Sequence, residues 1–214
     1  MRLQADLNEM RCPMTNTQNG TVPPKRQPYE SLRPREYLTA AEVELLMQAA
    51  RRRGRYGHRD ATMILLAYRH GLRVSELIAL RWDQVDLDQG FLHVRRLKRG
   101  LPSTHPLTPA EIRALRRLHS RAPTDAAYVF LSERKSPLTD SSVRKMIAQA
   151  GEVAALGFPV HPHQLRHSCG FKLANDKQDT RAIQLFLGHR NIQHTVKYTE
   201  LAAGRFQDFW RDED

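Results

Sequence analysis

His161-Pro162-His163-Gln164-Leu165-Arg166-His167-Ser168-Cys169-Gly170-Phe171, then Leu187-Gly188-His189-Arg190 and Thr195-Val196-Lys197-Tyr198, form the stretch around which this chain is organised. Pro162 suits a first helical position, where its missing N–H is no loss and its fixed φ is already helical. No further proline interrupts His163 to Ala174, so a helix is expected there. At about 100° per residue, Leu165, Cys169 and Leu173 stack into one apolar stripe. His163, Arg166 and His167 share another face, because residues three and four apart are neighbours. Gly170 projects between them. A glycine inside a helix costs roughly 1 kcal/mol against alanine, so its presence predicts that a large group or a backbone approaches closely. Taken alone, one His-x-x-Arg reads more simply as a half-solvated polar face. The segments that follow weigh against that reading.

Leu185-Phe186-Leu187 reads as the end of a helix, with Gly188 supplying a left-handed cap and His189 emerging beyond it. Asn191 suits the cap of a following short helix that carries Tyr198. Two histidines, an arginine and a tyrosine in such segments suit a phosphate diester better than a carbonyl or a metal ion. The net charge of +11 over 214 residues implies a polyanionic partner, most simply nucleic acid. Lys and Arg neutralise phosphates in any order, so the charge says nothing about base sequence. A membrane surface fits less well, for no amphipathic Lys/Arg helix with an aromatic face stands out. No run approaches the ~18 apolar residues of a membrane span, and Met1 to Asp6 is no secretory signal. Cys12 and Cys169 make no disulfide framework, which points to a reducing cytoplasm.

Residues 1 to 36 are rich in Asn, Gly, Pro and basic side chains and read as a flexible basic arm. Order begins at the capping box Thr39-Ala40-Ala41-Glu42, with Val43, Leu46, Met47 and Ala50 at helical spacing. Arg51 to Arg55 close that helix with positive charge, favourable at its end and available to a DNA backbone. Asp60 is expected to open an apolar helix through Met63-Ile64-Leu65-Leu66-Ala67, ending near Gly71. Val74 to Leu80 reads as a short helix. Arg73 beside it needs a partner if buried, and Glu76 is the obvious one. Trp82 to Leu87, Phe91 to Val94 and a run ending at Pro106 read as strands; Lys98 lies on the turn between the last two. Thr108-Pro109-Ala110-Glu111 is a second capping box, with Ile112, Leu115 and Leu118 on its buried face. Tyr128 to Leu131 is a brief apolar run, and Asp140 or Ser141 starts a helix using Val143, Met146, Ile147 and Ala150.

Taken together, Gly71-Leu72-Arg73-Val74-Ser75-Glu76-Leu77, Lys98, His163-x-x-Arg166, Leu187-Gly188-His189 and Tyr198 nine positions later resemble the tyrosine recombinases (the integrase family). The wording from His161 to Phe171, with Leu187 to Ile192 and His194-Thr195-Val196, is most similar to the short recombinases that invert the fimbrial phase switch. The resemblance covers roughly residues 37 to 210. It implies an α+β, mainly α-helical catalytic domain over residues 37–214, with a small three-stranded antiparallel sheet and a C-terminal tail from about 201 to 214. It implies site-specific DNA cutting and rejoining through a 3′-phosphotyrosyl intermediate on Tyr198. Arg73, Arg166 and His189 are then the phosphate donors, His163 the base and Lys98 the general acid. Bond energy is kept in the covalent link, so no cofactor, metal or ATP is expected. His105, His161 and His167 either support the site or pack. The expected partners are double-stranded DNA with specific recombination sites, further copies in a tetrameric synapse, and accessory DNA-bending proteins, with no membrane. The expected location is the bacterial cytoplasm, with the nucleoid.

Three rivals frame this reading. A zinc site from His161, His163, His167, His189 and His194 suits imidazole, but no carboxylate or cysteine completes a tight ligand spacing. A non-catalytic DNA-binding regulator would use the same charge and fold without needing Tyr198. A type IB topoisomerase would share the site and relax supercoils without a defined target. Only the short arm precedes the expected catalytic domain, as in the fimbrial-type recombinases. Ala202, Phe206, Phe209 and Trp210 recur at roughly helical spacing, and a short terminal helix is marginal alone, so the tail needs a groove on its own subunit or on a neighbour. The resemblance, to a family that exchanges C-terminal elements between subunits, implies docking on a neighbouring protomer.

Overall fold

The computed structural model describes residues 36–96 and 100–200. Most of the expected arm, Lys98 and the tail after residue 200 lie outside these residues.

Helix α1 (Ala40–Arg52) starts where Thr39 and Glu42 close the expected box, with Thr39 N–H donating to Glu42 Oε2 at 2.8 Å. Past its end Arg53 donates to Met146 O at 3.1 Å and to the Gln149 side chain. That arginine therefore ties the end of α1 to the segment around Met146 and Gln149 and does not stand free for a DNA backbone. Helix α2 (Gly57–Arg69) begins three residues before the expected Asp60. The Asp60 carboxylate accepts from Arg59 Nε at 2.8 Å and caps nothing, so the helix runs past it toward Tyr56. Met63, Ile64 and Leu66 are fully buried. Helix α3 (Val74–Ile78) is short, as expected.

Strands β1 (Val85–Asp86), β2 (Phe91–Val94) and β3 (Ser103–Pro106) form an antiparallel sheet in the order β1-β2-β3. The first strand is shorter than expected because Trp82–Gln84 winds into a 3-10 turn. Gln84 stabilises that turn by accepting from Arg81 N–H at 3.2 Å and donating to His93 O at 2.8 Å. Leu92 pairs with Val85 and with His105. Leu92 and Val94 are buried while Phe91 and His93 are exposed, the alternation of a sheet with one face on a core.

Helix α4 (Pro109–His119) follows the second box, and α5 (Asp140–Val153) starts at Asp140. Tyr128 to Leu131 form no strand. Tyr128 bridges to Arg81 and Leu131 to Pro137, with Val129 and Phe130 buried between. The chain then enters α6 (Pro162–Asn175), α7 (Thr180–Leu187) and α8 (Gln193–Glu200).

Two apolar cores result. The larger joins Leu46, Ile64, Leu92, Leu115, Phe130, Ile147 and Leu165; the smaller joins Cys169, Phe171, Ile183, Leu187 and Tyr198. Helix α6 runs between them and is buried at every position from Gln164 to Phe171. A helix enclosed on all sides shows no amphipathic stripe, which is why its Arg166 and His167 are interior groups. Ser168 Oγ accepts from Leu38 N–H at 2.7 Å, pinning the start of the domain to this helix. The fold is the mainly helical α+β class that the sequence implied.

Candidate active site

A cavity of about 330 Å³ opens where α3, α6, α7 and α8 meet. It brings together Arg73, His163, Arg166, His189 and Tyr198, five of the six expected site residues.

Arg166 projects from α6 and is 1% exposed. It donates from Nη1 to Gly71 O and from Nη2 to Leu187 O, the latter at 2.6 Å. Two of its five N–H groups are thus spent on backbone, and the remainder stay available on a rigid fork. Burial, then the charges of Arg73 and Arg96, lower it to about 10, so it stays protonated at neutral pH. Arg73 caps α3 from an extended backbone. Its Nη1 meets Glu76 Oε1 at 2.8 Å, while Arg96 Nη1 meets Glu76 Oε2 at 2.9 Å. One buried carboxylate thereby holds two guanidiniums. Glu76 is the structural partner expected for Arg73.

Arg96 had no role in the sequence reading, because a second arginine after Val94 looks like a solvated strand end. Only non-local neighbours reveal it. Its side chain is buried and also donates to Phe186 O. Burial lowers its pKa, with Glu76 opposing. A Cβ at Gly188 would stand 2.8 Å from Arg96 Cγ and Nε, and Gly188 takes the expected left-handed φ of 66°. The cap is therefore glycine for two reasons, conformation and space.

His189 follows that cap. Its Nδ1 lies 2.8 Å from Thr195 Oγ1, and Thr195 is fully buried. Burial, then Arg166 and Arg73, hold His189 at about 3, so the ring is neutral. A neutral ring that takes the Thr195 hydroxyl proton on Nδ1 carries its own proton on Nε2, ready to donate to an anion.

Tyr198 lies on α8 and is 1% exposed. Its ring packs against Gly170, the close approach that the glycine predicted. Its hydroxyl is 2.9 Å from His167 Nδ1. His163 stands one step out, its ring centroid 4.3 Å from that of His167. Direct contact with the phenol thus belongs to His167. Burial pushes Tyr198 up to about 12, against the opposing charge of Arg166. Burial, then His163 and Lys197, hold His167 at about 3. His163 is exposed at the cavity mouth, yet desolvation by the wall beneath it, then Arg166 and Lys197, lower it to about 4. Arg96 and Gly100 both border Gly188 at the cavity edge.

The Phage integrase family model matches residues 36–205. The chain belongs to the phage integrase family. It is similar to the type 1 fimbriae regulatory protein FimE of Escherichia coli strain K12, with 46% identity over 183 residues, 82% of this chain and 91% of that protein. The tyrosine recombinase XerD of Pseudomonas aeruginosa is 36% identical over 177 residues, 80% of this chain and 59% of that one. Among solved structures, the XerA recombinase superposes with a TM-score of 0.71 at 27% identity, covering 83% of this chain and 66% of that chain. The XerH recombinase bound to palindromic difH substrate shares the fold, with a TM-score of 0.68 at 20% identity over 81% of this chain and 52% of that one. This phage integrase family member is a tyrosine recombinase, an enzyme of site-specific DNA recombination. Among the described residues no helix is long and apolar enough to cross a membrane.

Proposed function

We propose that this recombinase cuts and rejoins double-stranded DNA at paired specific sites through a 3′-phosphotyrosyl link on Tyr198. The observation that carries the proposal is a buried tyrosine hydroxyl in one cavity with Arg73, Arg166 and His189. The phenol oxygen attacks phosphorus, the bond to the 5′ oxygen breaks, and the phenol proton passes to His167, with His163 packed beside it. The sequence reading named His163 as base; the 2.9 Å contact of His167 supports His167 as the direct proton acceptor. Lys98, on the family pattern, returns a proton to the leaving 5′ oxygen. Fixed donors aimed at the non-bridging oxygens are commonly the largest part of such catalysis, and the arginine fork suits phosphate. Without DNA the phenol is neutral, covered and hydrogen-bonded, a nucleophile held in reserve. Religation reverses the attack, so the residues need supply neither ATP nor metal.

Similarity to a fimbriae regulatory protein favours inversion of a DNA segment in phase variation as the outcome. The proposal includes a four-protomer synapse, assistance from DNA-bending proteins, and residues 37–214 as the catalytic domain. A nicked half-site substrate that traps the covalent intermediate tests the reading. Wild type should form an adduct, and Tyr198→Phe should bind DNA but form none. An adduct of normal yield from the variant overturns the assignment. Absence of any adduct from wild type favours the DNA-binding regulator. Relaxation of plasmids lacking recombination sites favours the topoisomerase.

A further inference from the structure

Beside the cavity, but outside it, polar side chains are sealed between α2, α4, β3 and α7. Glu111, His70 and His105 are each 1–2% exposed. Glu111 Oε1 lies 3.0 Å from His70 Nε2, and His70 Nδ1 lies 3.1 Å from His105 Nδ1. His105 Nε2 lies 2.8 Å from Ser103 Oγ. Glu111 Oε1 and His70 Nε2 are in close contact without hydrogen-bond alignment, and a single proton is shared between the two Nδ1 atoms. Burial, then His70 and Arg96, hold His105 at about 3, a neutral ring.

An apolar filling would seal this space with less desolvation. A buried polar chain instead specifies one geometry, and what it specifies here is the end of α7. The His105 ring stacks on Phe186 with centroids 3.8 Å apart at 15°. Phe186 O accepts from Arg96, Leu187 O accepts from Arg166, and Gly188 and His189 follow at once.

We propose that the Glu111–His70–His105 chain is a positioning device for strand transfer, holding the last turn of α7 so that Arg166 and His189 face the phosphate correctly. This rests on the strand-transfer reading above. His105 and Glu111 touch no DNA; they act through Phe186 and the two carbonyls.

The test combines single-turnover cleavage at saturating protein, half-site affinity, and nuclear magnetic resonance of the imidazole N–H protons in the full chain. His105→Ala should cleave on the order of 10²-fold more slowly, the usual effect of a misplaced catalytic group, with half-site affinity unchanged. Glu111→Gln keeps an acceptor oxygen and should recover most of the rate that Glu111→Ala loses. Thr108→Ala is the structural control. It removes the hydroxyl that donates to Glu111 Oε2 at 2.6 Å, weakening the cap of α4 while leaving the His70 contact, and should cleave normally. Wild type should show a slowly exchanging ring N–H proton at the shared Nδ1 position, lost in His105→Ala. The proposal is overturned if His105→Ala cleaves at the wild-type rate, if Thr108→Ala is as slow as Glu111→Ala, or if wild type shows no protected ring protons. A wild-type chain that forms no adduct overturns the strand-transfer reading instead, and the ring protons then decide by themselves whether the chain of bonds exists.

Discussion

The ring of Tyr198 packs on the bare backbone of Gly170: a Cβ added there would stand 2.6 Å from Cε2 and 2.8 Å from Cζ. No side chain tolerates that separation, so the depth at which the proposed nucleophile sits is set by the absence of a methyl group on the neighbouring helix.

Gly170→Ala should therefore lower both stability and activity. Helix propensity favours alanine by roughly 1 kcal/mol, but forcing a methyl into this packed contact costs about 1–3 kcal/mol and displaces the phenol from His167. We expect cleavage to fall on the order of 10²-fold with half-site affinity retained. A stabilised variant that cleaves normally would show that the ring has room to move without cost.

Arg166→Lys keeps the charge and loses the fork. Lysine cannot donate to Gly71 O and Leu187 O and still grip a phosphate in two places. Losing one preorganised donor typically costs on the order of 10²–10³ in rate, while one phosphate contact among many changes affinity little. Single-turnover cleavage of a half-site at saturating protein, with melting temperature as a check on folding, is the measurement. Near-normal cleavage would remove Arg166 from the transition state.

Thr195→Val preserves shape and deletes the hydroxyl that meets His189 Nδ1 at 2.8 Å. The ring then loses the contact that keeps its proton on Nε2. A cleavage rate reduced about as much as in His189→Ala, with no further loss in the double variant, is expected for groups that act as one unit. Additive losses would mean that the two residues serve separate ends.

Acid should destabilise this fold well before its carboxylates titrate. His105, His167 and His189 sit at about 3 in the native chain against about 6.5 unfolded. Between those values the unfolded chain binds protons that the native chain refuses. Their contribution is thus fully present above pH 6.5 and is lost as pH falls toward 3, at up to about 1.4 kcal/mol per pH unit for each ring. Tyr198, raised to about 12, acts at the other end, stabilising below about pH 10 and losing that contribution as pH rises through 12. Urea midpoints measured across pH should show a plateau flanked by two falls. A flat profile from pH 7 to 4 would mean that these rings are charged in the fold.

Local signals determined much of this protein. Capping boxes at Thr39 and Thr108, the proline start of α6 and the Gly188 cap were legible because each depends on residues three or four apart. The family motif named the arginines, histidines and tyrosine that line the cavity, and Gly170 announced a close neighbour. Which atom touches which was decided only by tertiary packing. That His167 and not His163 meets the phenol depends on how α8 crosses α6, 31 residues later in the chain. That Arg96 is buried on Glu76 and Phe186 depends on a strand end meeting helices 20 residues before it and 90 after it. No short-range pattern encodes such pairings, because burial turns a solvated-looking charge into an interior one only when distant segments close over it.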